Sequence, residues 1–188
     1  MSTPAPDSPI RVDWLAASEL GGGGRLGMTI LPGKHGASVR YPGLVYRRDL
    51  RSDIDGLLAL GVRHLVLLVD DAELSRWGDI DIVARAAECG LPIARRPMPD
   101  GTAPTTVEAM DEILAALAVP RATGDVAVAC MGGVGRSGTV AACALVAAGA
   151  SAPDAIARVR AVRHPTAVET AEQLAFVEAY ERHIAELR

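Results

Sequence analysis

The sequence predicts an α/β fold: a central, mainly parallel twisted sheet flanked by helices on both faces. Three observations predict it. Residues 64–69 (H-L-V-L-L-V) and Asp125–Cys130 (D-V-A-V-A-C) are short apolar runs between turn signals, the form of strands buried on both faces. Other segments carry apolar residues at helical spacing, as Val107, Met110, Ile113, Leu114 and Leu117 do opposite Glu108, Asp111 and Glu112. Strands and helices also alternate along the chain, which calls for right-handed crossovers and a parallel sheet covered twice.

Each element follows in order. Residues 10–15 alternate apolar and polar, a half-buried strand. The glycines at 21–24 form a flexible loop, and 26–31 is a second strand stopped by Pro32-Gly33. A loop or hairpin runs to Tyr46. Leu50, Ile54, Leu57 and Leu58 mark a helix over 50–60 that Gly61 ends. After the strand at 64–69 come a helix at 80–88 closed by Gly90, a strand at 91–95 and a helix at 105–119. Beyond Asp125–Cys130 the chain predicts helices at 136–148, 153–162 and 166–187.

The 188 residues suit one domain with a real core, so residues 10–188 are expected to form a single domain after a flexible tail at 1–9 rich in Ser, Thr, Pro and Asp. A formal net charge of −4 argues against nucleic acid as a partner, and 3% aromatic content leaves little for base stacking. No stretch reaches the roughly 18 apolar residues of a spanning helix, and no signal peptide is legible, so no membrane partner is expected. The odd cysteine count (Cys89, Cys130, Cys143) does not suit a disulfide framework and points to a reducing, cytoplasmic setting. His35, His64, His164 and His183 lack metal spacing, and no metal or other cofactor is expected.

Ligands of such sheets bind beyond the carboxyl ends of the strands, which directs attention to the end of the run at 125–130. There the chain reads Cys130-Met131-Gly132-Gly133-Val134-Gly135-Arg136-Ser137. The glycines let successive N–H groups converge on one point, and the following helix adds its unsatisfied donors and positive end. Arg136 supplies a fork for two phosphate oxygens. The same groups favour a thiolate on Cys130. One device can thus hold a phosphate and activate the nucleophile that attacks it. It is not a Walker loop, because no Lys-Ser or Lys-Thr pair follows the last glycine.

This segment resembles the C-x5-R-S/T signature of the cysteine-dependent protein tyrosine phosphatase superfamily. Within it, residues 26–33 (L-G-M-T-I-L-P-G), 60–74, 97–104 and the C-terminal helices are similar to the dual-specificity-like, kinase-associated phosphatases of the cyclin-dependent kinase inhibitor 3 family. The resemblance implies a protein tyrosine phosphatase-like fold and hydrolysis of phosphotyrosine, with phosphoserine and phosphothreonine as further substrates, through a phosphocysteine intermediate. It implies Cys130 as nucleophile, Arg136 as phosphate clamp, amides from Met131, Gly132, Gly133, Val134, Gly135 and Arg136 around the phosphate, and Ser137 assisting departure of the thiolate. An upstream aspartate serves the family as general acid. Asp100, in the turn-rich segment P-M-P-D-G-T thirty residues before Cys130, fits it. Asp125 is the rival, but it starts a strand and is expected at the other end of the sheet.

Two departures from the family matter. Ala129 stands where the family commonly has His before the nucleophile. Glu169 stands in the stretch where relatives place a water-positioning glutamine, with Gln173 following. Glu169 can position water, or be a first-turn acid complementing a helix dipole. Cys89 and Cys143 read as small core residues, and the basic stretch Lys34, His35, Arg40, Arg47 and Arg48 as a solvated loop. The partner implied is a phosphorylated protein. Two alternatives stay open: a phosphoprotein-binding pseudophosphatase, and a phosphatase of small molecules or phosphoinositides, which the absence of lysine in the signature loop disfavours.

Overall fold

The computed structural model describes residues 8–38 and 40–188, so most of the expected tail at 1–9 lies outside the described residues. In chain order the first half holds β1 (Asp13–Leu15), β2 (Leu26–Ile30), β3 (His35–Ala37), β4 (Val45–Arg47), α1 (Leu50–Ala59), β5 (Val62–Leu67), α2 (Asp71–Trp77) and α3 (Ile82–Glu88). The second half holds β6 (Ile93–Arg95), α4 (Val107–Arg121), β7 (Asp125–Cys130), α5 (Gly135–Ala147), α6 (Ala152–Val162) and α7 (Ala171–Glu186).

Five strands form one sheet in the order β1-β2-β7-β5-β6, parallel except for the edge strand β1. β7 lies at its centre and pairs Ile30 with Cys130 on one side and Leu67 with Ala129 on the other. Its side chains divide by pleat: Val126, Val128 and Cys130 join the core under α4, α5, α6 and α7, while Ala127 and Ala129 join the core under α1, α2 and α3. Each fully buried leucine or isoleucine of these cores contributes about 1.5–3 kcal/mol. The sheet is thus covered on both faces, as the unalternating strands required. β3 and β4 form a separate antiparallel hairpin. No helix among the described residues is long and apolar enough to cross a membrane.

Several elements differ from expectation for local reasons. β1 begins at Asp13 rather than at 10, because the Arg11 carbonyl accepts the Thr29 hydroxyl at 2.8 Å instead of a ladder N–H; Ile10 and Val12 are buried all the same. β5 starts two residues early and carries an irregular register between Val62 and His64. α2 was not expected at all. Asp70 and Glu73 close its first turn reciprocally, Glu73 N–H to Asp70 at 2.8 Å and Asp70 N–H to Glu73 at 3.1 Å. α7 begins at Ala171, capped by Thr170, and not at 166. Residues 164–170 instead form a loop in which the fully buried Val168 takes φ 59°, a left-handed conformation costly for a β-branched residue. Glu169 therefore precedes the helix and cannot act as its first-turn acid.

Candidate active site

Cys130 closes β7, and the chain turns through residues 131–134 into α5. At Gly133 the backbone has φ +67°, and a Cβ there would stand 2.3 Å from the Thr29 carbonyl oxygen, so only glycine fits. Arg163, at the end of α6, grips the outer face of this turn. Its Nε donates to the Gly133 carbonyl at 2.8 Å and its Nη2 to the Gly132 carbonyl at 2.9 Å, while Asp13 holds Nη1 at 2.6 Å. In a trans peptide the carbonyl and the next N–H point oppositely, so drawing these two oxygens outward turns the Gly133 and Val134 amides inward. Arg163 thus shapes the loop that the sequence marked, although nothing in the sequence singled it out.

The Cys130 side chain is buried. Burial by itself raises the thiol, but the Arg136 guanidinium, the Ser137 hydroxyl and the amides of Ser137 and Gly132 overcome it and hold the thiol below its ordinary value. The Ser137 hydroxyl is buried and has no oxygen or nitrogen partner among the described residues. Cys143, in the middle of α5, shows the opposite result: burial without such donors pushes its thiol well up. All three cysteines are free; Cys143 is a core residue, while Cys89 is half-exposed at the end of α3.

Arg136 is fully buried, and its orientation comes from α2. Glu73 accepts from Nη1 and Nη2 at 2.7 Å each, the Met98 carbonyl accepts from Nη1 at 2.9 Å, and Nε has no partner among the described residues. An unpartnered, buried guanidinium N–H leaves a donor available to a ligand oxygen. Asp100 stands across the site, on the loop after β6, with Oδ1 2.9 Å from Arg136 Nη2 and a largely exposed side chain. α7 pins this loop from behind. Thr170 donates to the Gly101 carbonyl at 2.9 Å, Gln173 to the Thr102 carbonyl at 2.9 Å, and Glu172 accepts from the Ala103 amide at 3.1 Å. Asp125, the rival acid, sits at the other end of β7 bound to Arg25 at 2.6 Å.

These groups open onto a cavity of about 1050 Å³ lined by Cys130, Asp100, Glu169 and an aromatic wall of Tyr41, Tyr46 and Trp77. Glu169 is ion-paired with Arg40 from the β3–β4 connection, and its other oxygen lies 2.4 Å from where a Cβ on Gly135 would be. Gln173 is placed otherwise than as a water-positioning group. It is fully buried, with its amide oxygen accepting from the Glu169 N–H at 2.8 Å and its amide nitrogen tied to Thr102, so it links Glu169 to the Asp100 loop. The basic stretch is likewise no solvated loop throughout. Arg48 is buried against Asp53 at 2.6 Å, and Lys34 is buried at the cavity wall. Sequence reading brought Cys130, Arg136, Ser137, Asp100 and Glu169 to one place, and missed Glu73, Arg163, Lys34 and Asp53. Of these, Glu73 alone carried a signal, the D-x-x-E capping spacing from Asp70.

Comparison with known proteins identifies the family and the fold. Residues 3–158 match the protein-family model described as cyclin-dependent kinase inhibitor 3 (CDKN3). Cyclin-dependent kinase inhibitor 3 of Rattus norvegicus is 29% identical over 189 residues, covering 97% of this chain and 84% of the rat protein. The crystal structure of kinase associated phosphatase with its catalytic-site cysteine replaced by serine superposes with a TM-score of 0.80 at 25% identity, covering 95% of this chain and 97% of that one. The active form of Tk-PTP superposes with a TM-score of 0.64 at 32% identity, over 85% of this chain and 92% of that one. The chain belongs to the cyclin-dependent kinase inhibitor 3 family and is a phosphatase of the cysteine-dependent, dual-specificity-like type.

Proposed function

We propose that residues 10–188 act as one domain that hydrolyses phosphotyrosine in proteins through a phosphocysteine intermediate. The observation that carries this reading is the pairing of a buried, acidified Cys130 thiol with an Arg136 whose Nε is kept free of protein partners. The Cys130 thiolate attacks phosphorus in line, and the bond from phosphorus to the ester oxygen breaks. Asp100, as the carboxylic acid, gives its proton to that oxygen. Arg136 and the loop amides of residues 131–136, of which those of Gly133 and Val134 are turned inward, hold the three equatorial oxygens, the electrostatic contribution that in other enzymes amounts to about 3–4 kcal/mol per donor. In the second step the Asp100 carboxylate takes a proton from water as the water oxygen bonds to phosphorus and the phosphorus–sulfur bond breaks. Ser137, otherwise without a partner, donates to the departing thiolate. Glu169 orients that water, and the Arg40 guanidinium offsets the repulsion its carboxylate would exert on phosphate.

The cavity is lined on one side by Tyr41, Tyr46 and Trp77, and this aromatic lining suits a phenyl phosphate better than an alkyl one. Three free cysteines suit the cytoplasm. The test compares phosphotyrosine and phosphothreonine peptides in the wild type and in Cys130→Ser. We expect faster release of phosphate from the phosphotyrosine peptide, and none from either peptide in the variant. Retained hydrolysis by Cys130→Ser removes the reading, and equal rates on both peptides remove the specificity.

A further inference from the structure

Lys34 follows the L-P-G turn at the end of β2, beside the strand end that carries Cys130. The turn is rigid. Asp53 accepts from the Gly33 N–H at 2.9 Å and is itself held by Arg48, whose own N–H donates to the Lys34 carbonyl at 3.0 Å. The Lys34 side chain is directed along the cavity wall, 8% of the residue is exposed, and Nζ stands 4.3 Å from the Tyr46 ring centroid. Among the described residues its ammonium donates to the Met131 carbonyl, the first of the signature loop, at 3.2 Å. The major cations around it are each matched to a carboxylate: Arg136 to Glu73, Arg163 to Asp13, Arg48 to Asp53 and Arg40 to Glu169. Lys34 has no carboxylate in contact among the described residues.

A buried ammonium with a neutral oxygen and a ring face for company is expensive to keep unless an anion joins it. Two anions come within its reach: the Cys130 thiolate in the free protein and the phosphate in the complex. Lysine is absent from the signature loop, and Ala129, before the nucleophile, faces the opposite layer of helices and supplies no charge. We propose that Lys34 is a further positioning residue of the reaction: its ammonium supports the charge on Cys130 and draws the phosphate dianion down into the loop. This rests on the phosphatase reading for its second half alone.

The chemistry has a pH signature. Burial pushes the Lys34 ammonium down to about 8, assisted by the charge of Arg40 and opposed by Cys130 and Asp100. These three, with Tyr46, are the groups that face it among the described residues. Lys34 is thus charged below about pH 8 and neutral above, so its support for anions is present at neutral pH and lost as pH rises through 8.

The experiment measures kcat/KM for p-nitrophenyl phosphate from about pH 5.5 to 9.5 in wild type, Lys34→Met and Lys34→Arg, with Cys130 alkylation by iodoacetamide over the same range. The wild type is expected to lose activity with a midpoint near pH 8. Lys34→Met should be lower by about tenfold at pH 6.5, without that basic limb and with a Cys130 titration raised by about one unit. Lys34→Arg should recover most of the neutral-pH activity and move the limb out of range. A basic limb unchanged in both variants, or a Cys130 titration that does not move in Lys34→Met, overturns the proposal. If Lys34→Met does not fold, the limb in Lys34→Arg decides alone. A wild type that alkylates as expected but turns over no phosphoester removes the phosphatase reading and leaves the thiolate half to be judged by the alkylation curves.

Discussion

Glu73 holds both terminal nitrogens of Arg136 at 2.7 Å and leaves Nε without a protein partner. A bidentate carboxylate fixes the plane of a guanidinium, so the free edge of Arg136 is aimed before any ligand arrives. Such preorganisation matters more than the ion pair's own energy, because burying two charges costs about what their attraction returns.

Removing that carboxylate should therefore be felt twice. Glu73→Ala leaves a buried guanidinium with only the largely exposed Asp100 carboxylate opposite it, and breaking a buried pair costs about 3–5 kcal/mol of stability. Thermal unfolding should show this as a markedly lower Tm that inorganic phosphate partly restores. At a temperature where the variant is folded, kcat/KM for p-nitrophenyl phosphate should fall by at least about tenfold. An unchanged Tm and rate would mean that Glu73 does not orient Arg136.

Asp100→Asn separates the two steps by leaving group. The amide cannot give a proton to the ester oxygen, so a phosphothreonine or alkyl phosphate substrate should lose about 10²–10⁴ in rate. A nitrophenyl ester, whose leaving group departs without a proton, should lose far less. A uniform loss across leaving groups would assign Asp100 to binding rather than to proton transfer.

Arg40 and Glu169 make a second charge pair at the mouth of the cavity. Arg40→Ala exposes phosphate to an unmatched carboxylate, and a few-fold rise in KM at low salt is expected, on the order of 1 kcal/mol for a partly solvated pair. Adding Glu169→Gln in the same chain should return KM towards the wild-type value. Steady-state kinetics at two ionic strengths checks this; a double variant worse than Arg40→Ala would place Glu169 in binding instead.

Gly133→Ala addresses the loop's shape. The left-handed φ of +67° costs an L residue about 1–2 kcal/mol, and the added Cβ would fall 2.3 Å from the Thr29 carbonyl oxygen, so the loop must move. A lower Tm together with loss of vanadate or phosphate binding, measured by calorimetry, is the expected outcome.

Much of this arrangement is legible in the amino-acid sequence. Strands buried on both faces announce themselves by losing their alternation, and the step from Cys130 to Arg136 encodes its own geometry through glycine and a helix start. Asp125–Cys130 matches the strand found residue for residue. What stayed hidden depends on distant segments. Glu73, Arg163 and Lys34 reach the site from three other elements, and a charged residue that will be buried reads, in one dimension, like any surface charge. The start of α7 was misplaced although residues 164–170 (H-P-T-A-V-E-T) are mostly weak helix formers; the loop itself is fixed by a tertiary contact, Arg160 holding the carbonyls of Ala167 and Val168, which the local sequence does not register.

Catalysis at this site requires Cys130 to be a thiolate at neutral pH. The most direct measurement is the rate of Cys130 alkylation by iodoacetamide as a function of pH, read at the Cys130 peptide by mass spectrometry, with the buried Cys143 as internal reference. The expected midpoint lies clearly below the free-thiol value of about 8.5, with Cys143 unreacted throughout. A midpoint at or above that value contradicts it.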